Sequence, residues 1–263
     1  MAEITIKTEQ CAGCGLCMRA CLSHLIEIDD GKAVAREAAE KLCLRCGHCA
    51  AACPRRLISI DGEGPGGISD LYAVSPEALS RLMKSRRSVR RYKDGPVPEE
   101  LLNAAFDTVR YAPTGKNRQG VEWVVINGRE KVESFIAVMA EELRANLKGF
   151  PALKMILADY EAGIDRVFRD APCIVFNHAD TAYDLSSADC VIAMTHLDLL
   201  LPAYGIGATW AGYAIRILQH CPRLREYLGI PQDHMVFAGL FMGLSAENYP
   251  NIPPRKPAKV TYL

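Results

Sequence analysis

The sequence predicts an α+β protein of two unequal domains, and three observations carry that expectation. Eight of the eleven cysteines, at positions 11, 14, 17, 21, 43, 46, 49 and 53, lie in the first 53 of 263 residues. A break, Gly62-Glu63-Gly64-Pro65-Gly66-Gly67, follows, with too little side chain to pack and too many glycines to hold one shape. Beyond it, short β-rich apolar runs are interspersed with amphipathic helical patterns. The expected organisation is a cysteine-rich domain over 1–61, a linker over 62–69 and a larger domain over 70–263.

Composition narrows the function classes. Hydrophobic residues at 49% and charged residues at 24% are those of an ordinary globular chain, which excludes disorder of the whole. Thirty-one basic residues balance thirty-one acidic ones, so no global field directs the chain to nucleic acid or an anionic membrane, and neither partner is expected. The N-terminus is charged within seven residues and has no apolar stretch of the secretory type. Leu199 to Ile215, the longest uncharged stretch, contains Pro202 and three glycines and is shorter than a spanning helix needs, so it reads as core. The expected location is cytoplasmic, where clustered cysteines argue for metal rather than disulfides.

Cys11, Cys14, Cys17 and Cys21 form a C-x2-C-x2-C-x3-C run, repeated by Cys43, Cys46, Cys49 and Cys53 with Pro54 following. The shift from 11 to 43, an offset of 32, also carries Gly15 onto Gly47 and Leu25-Ile26-Glu27-Ile28 onto Leu57-Ile58-Ser59-Ile60, so the two runs are an internal duplication. Each half reads as a cysteine loop, a short helical turn and a short strand. Three thiolates at three-residue intervals on a glycine-relaxed loop can surround three corners of a cubane, and the fourth iron needs a ligand from elsewhere. Zinc sites usually show separated C-x2-C pairs, so this spacing favours iron–sulfur over zinc. These 60 residues resemble a bacterial two-[4Fe-4S] ferredoxin, with Leu22 standing where the second run has Pro54. The resemblance implies that the fourth cysteine of each run serves the other cluster. One set is then Cys11, Cys14, Cys17 and Cys53, the other Cys43, Cys46, Cys49 and Cys21. A domain this small has little core, so the clusters also supply folding energy.

In the larger domain, Cys173, Cys190 and Cys221 lie in apolar surroundings and read as core. Pro98-Glu99-Glu100 opens an amphipathic helix whose apolar face is Leu102, Ala105, Phe106 and Val109. Trp123–Ile126, Cys173–Phe176 and Met235–Leu244 read as strands buried on both faces. Ser186 with Asp189 reads as a capping box opening a helix, apolar nearly all round over 190–201 except for His196 and Asp198. From Tyr249, four prolines make an extended arm. Residues 139–170 are expected to form a variable lid without recognisable chemistry.

Ser80 to Lys93 holds Arg81, Lys84, Arg86, Arg87, Arg90, Arg91 and Lys93 and no acid. The run alone fits a solvated helix face, a nucleic-acid contact or a phosphate clamp of guanidinium groups with the Ser88 hydroxyl. Four segments together decide. Arg86-Arg87-Ser88-Val89-Arg90, Ala112-Pro113-Thr114-Gly115-Lys116-Asn117-Arg118-Gln119, Gly207-Ala208-Thr209-Trp210-Ala211-Gly212 and Pro254-Arg255-Lys256-Pro257 resemble, in order and spacing, the flavin motifs of the FMN-dependent nitroreductase family. Gly120 and Val121 depart from the family pattern, in which proline and an aromatic residue are usual.

The resemblance implies a nitroreductase fold, a central mixed sheet flanked by helices, dimeric with the extended C-terminal arm and with FMN at the dimer interface. It implies Arg86, Arg87 and Arg255 at the phosphate, with Ser88 and Lys256 in the same motifs. Arg90, Lys116, Asn117 or Gln119 then lies near N1 and O2 of the reduced ring, reached through the Pro113-Thr114-Gly115 turn. A backbone N–H of Ala211 or Gly212 faces N5, next to Trp210. Tyr92, Tyr213 and His196 are the candidate proton donors, His196 reading rather as a core residue. The expected activity is a flavin and iron–sulfur oxidoreductase that passes electrons from ferredoxin or NAD(P)H through two [4Fe-4S] clusters to FMN. The expected acceptor is a small molecule, a nitroaromatic, quinone or activated alkene. The alternatives are a non-catalytic relay between ferredoxin and a partner enzyme, or an ene-reductase or dehalogenase on the same fold.

Overall fold

The computed structural model describes residues 2–67, 74–146 and 154–263. The end of the expected linker, the expected start of the larger domain at 70 and part of the 139–170 segment lie outside the described residues. The chain forms two compact units, Met1–Ala73 with Thr114–Arg118, and Val74–Pro113 with Gln119–Leu263.

In the first unit, β1 (Ile4–Ile6) pairs antiparallel with β4 (Ile58–Ile60), and β2 (Ile26–Asp29) with β3 (Lys32–Ala35). Between them lie three one-turn helices, α1 (Leu16–Ala20), α2 (Ala39–Leu42) and α3 (His48–Ala52). The duplication is visible in the backbone at the same offset of 32. Gly15 and Gly47 precede α1 and α3 in the left-handed conformation, at φ 71° and 72°, a geometry glycine adopts without steric cost. His24 and Arg56 repeat a left-handed turn at φ 52° and 53°. The core is only a handful of side chains, Ile26, Ala33, Ala50 and Ile58 with Cys17 and Cys49, so the cysteines are themselves part of it.

The second unit holds α4 (Pro76–Ser85), α5 (Glu99–Val109), β5 (Glu122–Asn127), α6 (Arg129–Asn146), α7 (Lys154–Glu161), β6 (Cys173–Asp180), α8 (Ser186–Leu200), β7 (Ile206–Trp210), α9 (Gly212–His220), α10 (Pro222–Tyr227) and β8 (His234–Leu244). The sheet order is β5-β6-β8-β7, with all three pairs antiparallel. A parallel bridge from Ser88 to Ala208 on β7 makes the sheet mixed. Alternating residues of β6 and β8 feed two cores. Ile174, Phe176 and Phe241 pack with Phe135 of α6 and Ile217 of α9. Cys173, Val175, Leu240 and Met242 pack with Leu102 and Ala105 of α5 and Met194 and Leu197 of α8. The result is a helix–sheet–helix layering in which each fully buried large side chain contributes about 1.5–3 kcal/mol. Cys173, Cys190 and Cys221 are buried, as expected of core residues.

Several local expectations give way to tertiary context. β6 is buried along almost its whole length, but β5 is the sheet edge and Val125 faces out, so that run is not buried on both faces. Ser186 does not cap α8: its hydroxyl donates to Asp180 O at 2.6 Å, and α8 begins without a side-chain cap. His196 is exposed, its Nδ1 2.9 Å from Ile192 O, whereas Asp198 on the same helix is buried. Gly207 to Trp210 of the third flavin segment lies in strand β7. The arm after Tyr249 is exposed and has no regular structure.

The feature that positions the flavin segments is the close passage of the arginine run across β7. Val89 N donates to Ala208 O at 2.9 Å. A Cβ at Gly207 would stand 2.5 Å from Val89 Cγ1, inside any real carbon contact. Gly207→Ala is therefore expected to destabilise the second unit by about 1–3 kcal/mol through overpacking. Val89→Ala in the same chain should recover part of the loss, and urea unfolding of the single and double variants checks both.

Candidate functional site

The cysteine sites follow from the duplicated loops. Cys11, Cys14, Cys17 and Cys53 line one cavity of about 90 Å³, which brings the fourth cysteine of the second run to the first three of the first. Cys17 is raised by burial and by the neighbouring Cys11 and Cys53. Cys49 is pushed up to about 11 by burial, with Cys21, Cys46 and Cys43 also acting on it, so the second set gathers as well. Four thiols in a part-buried pocket cannot all ionise unless a cation offsets their repulsion, and that is the chemistry of an iron–sulfur ligand set. Backbone N–H groups are aimed at the sulfurs at the duplication offset. Gly13 N donates to Cys11 Sγ and Arg45 N to Cys43 Sγ, both at 3.4 Å. Leu25 N donates to Cys21 Sγ at 3.3 Å and Leu57 N to Cys53 Sγ at 3.4 Å. Cys11 also accepts from Ala33 N at 3.4 Å, and these amides hold its thiol below the ordinary range. Such N–H···S bonds stabilise cluster-bound thiolates and raise the reduction potential.

The second site assembles at β7. Trp210 Nε1 donates to Asp198 Oδ2 at 3.1 Å, and Arg86 Nη1 is 3.4 Å from the same oxygen. Burial pushes the Asp198 carboxyl up, offset by Arg86 and by the Trp210 hydrogen bond. One buried acid thus ties the first flavin segment to the third. Arg87 Nε is buried and has no hydrogen-bond acceptor, although Arg87 Nη2 donates to Lys84 O at 2.9 Å, and the buried Arg86 Nη1 has only its ion pair with Asp198. Buried guanidinium donors left without an acceptor are what an anionic phosphate would satisfy, so these residues fit the flavin phosphate. A cavity of about 190 Å³ is lined by Arg90, Arg169, Thr209, Trp210, Gly212 and Tyr213. A side chain at Gly212 would point into open space, which leaves room there for a flat ring.

Other expected site residues are placed differently. Ala211 N donates to Gly239 O at 2.9 Å, so of the two N–H groups expected near N5 that of Gly212, the first of α9, is the one left. Ser88 is held in a backbone bridge to Ala208. Tyr92 OH lies within reach of Val89 O at 2.8 Å and Phe241 O at 3.2 Å, and burial pushes the phenol far up, so it serves the fold rather than proton transfer. Pro113 and Gln119 belong to the second unit, but Thr114–Arg118 belongs to the first. Asn117 Nδ2 donates to Leu44 O at 3.2 Å and Arg45 O at 3.0 Å, the carbonyls between Cys43 and Cys46, so its amide is not directed at a flavin ring. Lys116, Asn117 and Gln119 all take left-handed φ, at 52°, 52° and 51°, a strain that non-glycine residues keep where surroundings impose it. Arg255 and Lys256 lie in the exposed arm.

Asp198 and Arg169 were not singled out as site residues. Asp198 had a signal, a charge on a helix otherwise apolar all round. Arg169 falls in a segment without a motif.

The comparisons with known proteins agree with this geometry. The nitroreductase family profile matches residues 83–244, and that of a 4Fe-4S dicluster domain matches residues 10–58. A chloronitrobenzene nitroreductase of Comamonas testosteroni is 28% identical over 63% of this chain and 86% of its own length. An NADH dehydrogenase of Thermus thermophilus is 29% identical over 63% and 86%. A nitroreductase of Desulfitobacterium hafniense solved with bound FMN superposes with a TM-score of 0.56 at 26% identity, covering 70% of this chain and 97% of that one. The fold and the two sites define a flavoprotein with an iron–sulfur module. The chain belongs to the nitroreductase family; it is an FMN-dependent oxidoreductase with two [4Fe-4S] clusters in its N-terminal domain.

Two outcomes are expected. Cys53→Ser and Cys14→Ser should each lower bound iron from about eight toward four per chain, and the double variant no further, whereas Cys53→Ser with Cys46→Ser should lose both clusters. Iron and acid-labile sulfide assays check the crossed ligation. Asp198→Ala, which strands Arg86 and the Trp210 N–H, should destabilise the FMN-free second unit by about 1–3 kcal/mol in urea unfolding without changing iron content.

Proposed function

We propose that this chain takes single electrons from a reduced ferredoxin or from NAD(P)H at its cluster module and delivers them in pairs, through FMN, to a small organic acceptor such as a nitroaromatic, a quinone or an activated alkene. When bound, the clusters supply one-electron steps and the flavin supplies two-electron reduction of the acceptor. The observation that supports the reading is Asn117: a residue of the segment that resembles the second flavin motif hydrogen-bonds the loop between Cys43 and Cys46, so flavin motif and cluster loop meet in one short stretch of chain.

The chain's own residues bind, orient and enclose. Arg86 and Arg87 hold the phosphate, with Arg255 as an assigned contributor from the arm. Arg90 supplies positive charge where the reduced ring is negative. Trp210 and Tyr213 wall the cavity beside Gly212, and Tyr213, 57% exposed, is reachable by an entering acceptor. That cavity favours an enzyme over a relay, which needs no acceptor site. We further propose a homodimer through the second unit, supported by exposed Leu185 and Val191 at α8 and by the free C-terminal arm. A cytoplasmic location is in keeping with eleven free cysteines and with the finding that no described helix is long and apolar enough to cross a membrane.

Anaerobic turnover of a nitroaromatic, quinone and enone panel with reduced ferredoxin or NAD(P)H tests the reading. Turnover with at least one pair is expected, while flavin reduction without any acceptor turnover would instead establish the relay. Arg86→Ala combined with Arg255→Ala should lower FMN affinity at least tenfold, the equivalent of about 1.4 kcal/mol. Undiminished affinity in fluorescence titration would remove the phosphate assignment.

A further inference from the structure

At one end of the sheet, three strands bring together side chains that neither the clusters nor the flavin site uses. Glu122 on β5 stands opposite His178 on β6, and His178 stands opposite Val236 on β8, two residues from His234. Directly opposed residues share a face, and those two positions along a strand do too, so all three side chains rise on the same side. A bulge between Asn177 and His178 reorients the histidine. The bulge is held by the buried Asn177, whose Nδ2 donates to Cys190 O at 2.7 Å and whose Oδ1 accepts from Ala238 N at 3.1 Å. The two imidazoles meet with Nδ1 atoms 2.9 Å apart, ring centroids 5.1 Å apart and planes at 55°. One ligand atom from each of Glu122, His178 and His234 lies within 4.8 Å of the others.

We propose that Glu122, His178 and His234 form a binding site for a zinc-type divalent cation that clips β5, β6 and β8 together. The donor set, two imidazole nitrogens and one carboxylate oxygen, is one that zinc takes, and imidazole also suits nickel and copper. A tetrahedral ion with metal–nitrogen bonds of about 2.0–2.1 Å sets its ligand atoms about 3.3 Å apart. The histidines therefore need to open by only a few tenths of an ångström. Glu122 is exposed and closes on the ion by a change of rotamer, whereas His178 is 4% exposed and fixed by its surroundings. As the ion enters, the proton shared between the two Nδ1 atoms moves to an Nε2 or is released, since metal ligation needs the bare nitrogen. With three protein ligands the fourth position is left to water on the exposed side. Glu122 starts the edge strand three residues after Gln119, so the clip would also anchor the root of the strained 114–119 loop.

The test uses the holoprotein, purified anaerobically with its iron and FMN contents measured, and zinc as the probe. After equilibrium dialysis against zinc, wild type should hold about one zinc per chain beyond its iron, and His234→Ala and Glu122→Gln should lose it while keeping iron and FMN. Zinc at about 100 times its Kd should raise the thermal midpoint of wild type by on the order of 5 °C and leave His234→Ala unmoved. His234, half-buried at a strand start, is the decisive position because its replacement spares the core. Equal zinc in wild type and His234→Ala would place the ion on other groups, cysteines included, and overturn the site. Absence of bound zinc in intact wild type would leave a hydrogen-bonded histidine pair only, and overturns it equally.

Discussion

A buried carboxylate must find positive or hydrogen-bonding partners, because an unpaired charge in the interior costs several kcal/mol. Asp198 meets that demand with Arg86 from the arginine run and Trp210 from the end of β7. The two partners lie more than a hundred residues apart in the chain, Arg86 opening the first flavin segment and Trp210 lying within the third. Around this contact the rest of the site is arranged: Gly207 lets Val89 cross β7, Ser88 pairs with Ala208, and Arg90, Trp210 and Gly212 line one cavity. Arg86 is thereby held in place beside Arg87, whose buried Nε has no hydrogen-bond acceptor, which is preorganisation for an anion.

The cysteine unit solves a different electrostatic problem. Its core is too small to hold the fold by apolar burial alone, and its most buried atoms include thiols that repel one another when ionised. Two [4Fe-4S] clusters resolve both difficulties, since the irons offset the thiolate charge and the cysteines gathered around Cys17 come from both halves of the duplication. The repeated N–H···S bonds then act on the clusters, not merely on the loops. Cys11 accepts two such amides, from Gly13 and Ala33. In the first unit, therefore, metal binding, folding and redox tuning are one interaction considered at three scales.

The flavin domain has no comparable dependence on its cofactor, because its helix–sheet–helix core is extensive and continuous on both faces of β6 and β8. In the strained segment Lys116 to Gln119 the Asn117 amide is given to the cluster loop. Strain of this kind is maintained only by surroundings that over-determine it.

Patterns set by covalent spacing or by local periodicity were legible in the sequence. The cysteine runs, their duplication, the glycine-rich break, the helix at Glu99–Val109 and the strands of β6 and β8 depend on residues close in the chain, and the four flavin segments carried the family by resemblance. The choice of which polar residue on α8 is buried was not legible. Periodicity marks His196 and Asp198 alike as interruptions of an apolar helix, and only tertiary packing leaves one exposed and the other buried between Arg86 and Trp210. The same holds for β5, whose apolar run says nothing about its place at the sheet edge, and for Glu122, His178 and His234, which only strand register and a bulge bring together. Sequence determined the cofactors through the chemistry of its motifs. Tertiary structure decided which groups are free to meet them, because hydrogen-bond partners and desolvation are settled by neighbours distant in the chain.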